Sequence, residues 1–97
     1  MSARVILGED GELEVEGSIT INSVAEVAGQ GVALLAHGNG VIDLTQVTEV
    51  DSTAVSMLLE WQREAIRCNS NIMIINVPKN LQSLMRLYGV SELVNLA

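Results

Sequence analysis

Phenylalanine is absent, and aromatics make up only 2% of the chain: Trp61 and Tyr88. The core must therefore be built from Val, Leu, Ile, Ala and Met. One cysteine, Cys68, excludes an internal disulfide and a Cys-based zinc cluster, and it fits a reducing compartment. Basic residues are scarce, five against twelve acids, for a net charge of −7. Phosphate binding needs clustered Lys and Arg, so a nucleic-acid partner is disfavoured, as is an electrostatic hold on anionic lipid. No apolar run approaches the ~20 residues of a membrane span, so direct membrane insertion is not expected. The start, Met1-Ser2-Ala3-Arg4, has no signal-peptide apolar region of useful length. A soluble cytoplasmic protein is the expectation.

What the chain does have is apolar content of 48% in 97 residues. That suits one domain, residues 1–97, able to bury roughly two-thirds of its unfolded surface without staples. Charge is uneven. Residues 1–51 carry nine acids and one base, Arg4, whereas residues 52–97 carry three acids and four bases. The acidic half suits either a partner with basic loops or plain solubility.

Periodicity orders the elements. Val5-Ile6-Leu7 reads as a short strand and Asp10-Gly11 as a hairpin turn. Leu13, Val15, Gly17 and Ile19 then alternate with Glu12, Glu14 and Glu16, so a second strand has one buried and one acidic face. Ser23-x-x-Glu26 has the spacing of a capping box. Val24, Val27, Ala28, Val32 and Leu35 share a helical face, while Gly29 and Gly31 each weaken that helix by roughly 1 kcal/mol relative to Ala. Gly38-Asn39-Gly40 stops it. Val41 to Leu44 is a central strand and Thr45 to Val50 a loop. A second helix runs from Asp51-Ser52 to about Cys68, with Ala54, Val55, Leu58, Leu59, Trp61, Ala65 and Ile66 as its buried stripe. Glu60 with Arg63 and Glu64 with Arg67 are i,i+3 pairs on its outer face. Ile72 to Ile75 is a fourth strand. Pro78 sits where a third helix begins, Leu81, Leu84, Met85 and Tyr88 mark its buried face, and Gly89 ends it. Ser91 to Leu96 closes the chain. The order β-β-α-β-α-β-α predicts an α/β domain with a mixed sheet of about four strands, a right-handed crossover between the last two, and helices mainly on one face.

Little in this pattern carries catalysis. His37, the sole histidine, falls at a helix end, and Cys68 falls on the apolar side of a helix, where packing outweighs reactivity. No His, Cys or carboxylate cluster has metal spacing. Gly38-x-Gly40 precedes a strand, whereas phosphate cradles follow one. Neither enzyme activity nor a cofactor is expected.

One segment stands apart: an apolar strand, a short loop, then Asp51-Ser52-Thr53 at a helix start. Capping by Asp51 or Ser52, for roughly 1 kcal/mol, accounts for part of it. By itself the segment reads first as that cap, and a surface read by a protein partner is the functional alternative. Ser52, Thr53, Ser56, Met57 and Glu60 fall on the side of the helix away from Ala54, Leu58 and Trp61. On this placement Met57 is an outward apolar residue among polar ones. A phosphate on Ser52 or Thr53 would meet the helix dipole favourably and Glu49 and Asp51 unfavourably.

The run VIDLTQVTEVDSTAVSMLLEW resembles the signature of STAS domains, the modules of sulfate transporters and anti-sigma factor antagonists. That signature is an apolar strand ending in Asp-Leu, a short loop, Asp-Ser-Ser/Thr-Gly and a Leu-rich helix. The resemblance covers nearly the whole chain, with Ala54 standing where the family has glycine. It implies one of two functions. In the antagonist branch the second hydroxyl, here Thr53, is the phosphoacceptor, and the partner is an anti-sigma factor kinase. In the small subunit of Mla-type phospholipid-transport ABC systems, Ser52 would help bind the nucleotide-binding subunit, the ATPase. The C-terminal run NLQSLMRLYGVSELV, Leu87-Tyr88-Gly89-Val90 above all, is more similar to the transport branch. The implied protein is a non-catalytic cytoplasmic subunit, brought to the inner membrane only through its transporter and open to forming a homodimer when free.

Overall fold

The computed structural model describes residues 3–8, 11–35 and 40–94. Eight elements follow one another. They are β1 (Arg4–Leu7), β2 (Leu13–Ile19), α1 (Val24–Leu35), β3 (Val41–Val50), α2 (Ser52–Arg67), β4 (Met73–Ile75), α3 (Lys79–Leu87) and a 3-10 turn at Ser91–Leu93. The sheet order is β1-β2-β3-β4. β1 pairs antiparallel to β2, with Val5 opposite Val15. β2–β3 and β3–β4 are parallel, so the sheet is mixed, as the order of elements predicts.

The period-two pattern decides which face is covered. Val5, Leu13, Val15, Ile19, Ile42, Leu44 and Ile74 are buried beneath the helices, while Glu14, Glu16 and Asp43 are only partly covered on the other face. α1 and α2 pack side by side, and α3 lies against α2. The only tryptophan, Trp61, is wholly buried where α2 meets α1, and its indole N–H donates to the Ala28 carbonyl at 3.1 Å. The helix start at Pro78 and the end at Gly89, with φ +68°, match the sequence.

Several sequence expectations are corrected. Thr45 to Val50 is not a loop: β3 continues through it, pairing Gln46 with Glu16 and Val50 with Ile19. Two register shifts each place an extra β3 residue opposite β2, and Gly17 takes φ +95° beside the second. These bulges break the alternation that would have marked a strand. The capping box at Ser23 does not form. Its hydroxyl accepts from the Thr20 N–H at 3.1 Å and donates to the Ser18 carbonyl, while Glu26 reaches Gln30. Of the two ion pairs expected on α2, Glu64 pairs with Arg67; among the described residues Glu60 and Arg63 do not pair. Cys68 is exposed at the end of α2 rather than packed. Asp10, His37 and the Gly38-Asn39 stop lie outside the described residues.

Candidate functional site

The bulged end of β3 delivers Asp51 to the start of α2, where it is the N-cap. One carboxylate oxygen, Oδ1, accepts from the Thr53 backbone N–H at 2.9 Å and from the Thr53 hydroxyl. The other, Oδ2, accepts from the backbone N–H of Ile21, in the turn between β2 and α1, at 2.9 Å. The Thr53 hydroxyl, ahead of the Ile21 and Thr53 amides, holds the Asp51 carboxyl below the usual carboxylate range, against the opposing effect of partial burial. The cap expected of Asp51 is therefore present, and it spans two elements.

Ser52 and Ser56 are exposed on α2, and Thr53 is half-buried. These three, with Val55, Leu59, Tyr88 and Val90, line a groove of about 350 Å³. Its floor is aliphatic, one wall is the first turns of α2, and the other is the Tyr88-Gly89-Val90 turn after α3. A second cleft, of about 500 Å³, lies across Asp51 and includes Ser18, Thr20, Ile21, Glu26, Glu49 and Asp51. Glu60 is exposed one turn beyond Ser56, outside the groove lining.

Met57 does not belong to this surface. It is 2% exposed and sits in the core, whereas Ile66, assigned to the buried stripe, is 66% exposed. α2 packs against α1 and α3, and its buried side chains share one core with those of the strands. At about 100° per residue its buried positions from Met57 round to Val55 span roughly 160° near the N-terminus. Ile66 lies on the same side as Val55, but toward the C-terminus, beyond the groove that Val55 lines with Tyr88 and Val90.

Tyr88 is corrected in the opposite direction. Helical spacing placed it on the buried face of α3, but the helix ends at Leu87 and Tyr88, its C-cap, is 52% exposed. The following Gly89 was the signal that the helical period lapses there. Ile21, 70% exposed beside Asp51, was missed as well; only its position at the end of β2's alternation hinted at it.

Among the described residues no three His, Cys, Asp or Glu side chains converge as a metal site, and no helix is long and apolar enough to cross a membrane.

Over residues 2–95 the sequence matches the family model described as "Mlab, STAS domain". No curated protein matches it. Among solved structures the chain is similar in fold to "Structure of the Anti-Sigma Factor Antagonist SpoIIAA in its Unphosphorylated Form". The TM-score is 0.70 at 13% identity, covering 98% of this chain and 87% of that one.

Proposed function

The chain belongs to the STAS domain family, and on that premise we propose that it is a non-catalytic, single-domain subunit that docks on the ATPase of an ABC transporter for phospholipid. The observation that carries this is the groove. It joins Ser52, Thr53 and Ser56, from the run that resembles the STAS signature, to Tyr88 and Val90, from the run more similar to the transport branch. The description of the matching family model points the same way. An aliphatic floor, one exposed aromatic and a rim of hydroxyls is the composition of a protein interface, with an apolar centre and hydrogen-bonding surround. On this reading the protein is cytoplasmic and reaches the inner membrane through its partner.

One observation favours the alternative, an anti-sigma factor antagonist bound by a kinase. The Thr53 hydroxyl, the residue at the phosphoacceptor position, is oriented by a carboxylate that accepts its proton side.

The test is titration of the purified protein against the ATPase and, separately, against an anti-sigma kinase from the same source. Ser56→Glu places an unpaired charge in the groove wall, and its desolvation on binding should weaken ATPase affinity at least tenfold, about 1.4 kcal/mol. Ser56 is exposed, so circular dichroism should show an unchanged fold. Tight binding to the kinase with none to the ATPase would establish the alternative. Unchanged affinity of folded Ser56→Glu would remove the groove from the interface.

A further inference from the structure

We infer that the Asp51 carboxylate is a two-sided clamp, through which the bonding state of the Thr53 hydroxyl is transmitted to the exposed Ile21 turn. The coupling is a property of the fold. Its use in partner exchange rests on the docking surface proposed above.

The two oxygens of one rigid carboxylate serve two separate elements. Oδ1 holds the first turn of α2 through the Thr53 amide and hydroxyl. Oδ2 holds the Ile21 amide. The rest of the turn is closed by its own bonds: the Ser23 and Val24 amides donate to the Thr20 carbonyl, and the Thr20 amide donates to the Ser23 hydroxyl. None of these engages the Ile21 N–H. The Asp51 N–H in turn donates to the Ile19 carbonyl at 3.2 Å, so Asp51 holds the backbone on either side of Thr20.

The position of Ile21 gives the clamp a consequence. Ile19 is wholly buried and Ile21 is 70% exposed, so the chain turns outward between them. An apolar side chain is presented to solvent across Asp51 from the groove. A partner acceptor that draws the Thr53 hydroxyl away leaves Oδ1 with one donor fewer. The carboxylate can then rotate or gain basicity, and either change reaches the Ile21 amide.

Few other groups act on Asp51. Glu26 of α1 and Glu49 of β3 line the same cleft, and among the described residues no basic side chain lines it. β2 contributes Ser18 to the lining, and the first turn of α2 carries no acid. The hydrogen bonds from the Thr53 hydroxyl and from the Ile21 and Thr53 amides keep Asp51 ionised.

The test is a pH titration of the ¹H–¹⁵N spectrum of the whole protein, following the Ile21 and Thr53 amide protons. Both should titrate with one shared midpoint below that of an ordinary aspartate. Thr53→Val, and independently Thr53→Ala, should move the midpoint upward at Ile21, which does not bond residue 53. Thr53→Ser, which keeps the hydroxyl, should restore the original midpoint. An Ile21 amide whose midpoint differs from that of Thr53, or ignores Thr53→Val and Thr53→Ala in the folded protein, would overturn the clamp. No partner is needed, so this outcome is separate from the fate of the docking proposal.

Discussion

Replacing Gly31 by alanine sets two physical effects against each other. Gly31 lies inside α1, where alanine is favoured by about 1 kcal/mol on helix propensity. It is also buried, and a Cβ there would come within 3.0 Å of Cε2, Cζ2 and Nε1 of Trp61. That indole cannot retreat freely: it is fully buried, and its N–H is committed to the Ala28 carbonyl. Overpacking of this kind costs about 1–3 kcal/mol. If the ring moves enough to lose its hydrogen bond, an unsatisfied buried donor adds about 1–3 kcal/mol. The clash therefore matches or outweighs propensity, and Gly31→Ala should destabilise by up to about 5 kcal/mol. For a domain of this size each kcal/mol lowers the melting temperature by about 4–8 °C. Gly29 is the internal control. It lies in the same helix, is exposed, and has nothing within 4 Å of its added Cβ, so Gly29→Ala should stabilise by up to about 1 kcal/mol. Urea denaturation followed by the fluorescence of Trp61, the sole tryptophan, reads both variants. A Gly31→Ala midpoint equal to or above that of Gly29→Ala would refute the close packing of α1 on α2.

Two further expectations concern α2 and acid. Met57→Ala and Leu58→Ala should each cost roughly 2–5 kcal/mol in denaturant unfolding, because both side chains are buried, while Ile66→Ala should stay within about 0.5 kcal/mol. A mild Met57→Ala would return that residue to the surface. The Asp51 carboxyl is held low in the folded state, by the Thr53 hydroxyl first. Its contribution to stability is therefore present above the unfolded aspartate value of about 3.9 and is lost as pH falls through the lower folded value. Asp51→Asn should flatten that part of the acid limb in a melting-temperature series from neutral pH downward, and an unchanged limb would show that Asp51 is not ionised in these bonds.

Local pattern carried most of the architecture. The alternation of Leu13, Val15 and Ile19 with Glu14 and Glu16 is a property of a pleated strand, and it identified the covered face before any packing was known. The span of α2 was legible from its cap and period, and the STAS resemblance rested on residues in one continuous run. The bulged half of β3 was not legible, because each extra residue shifts the alternation by one and Thr45, Gln46, Thr48 and Glu49 all end exposed.

What the sequence by itself determined was the order of elements, the mixed α/β class, the Asp51-Ser52-Thr53 helix start and the stop at Gly89. These depend on hydrogen bonds and periodicities within a few residues of each other. The tertiary structure decided how wide and how long the covered face of α2 is. Met57 is buried and Ile66 is not because burial depends on how many neighbours surround a helix and how far along it they reach. Tyr88 became a groove wall because α3 stops one residue short of it, against the first turns of α2. The bond from Asp51 to Ile21 joins positions thirty residues apart. No local period encodes it: only the parallel pairing of β2 with β3 brings the ends of those strands together.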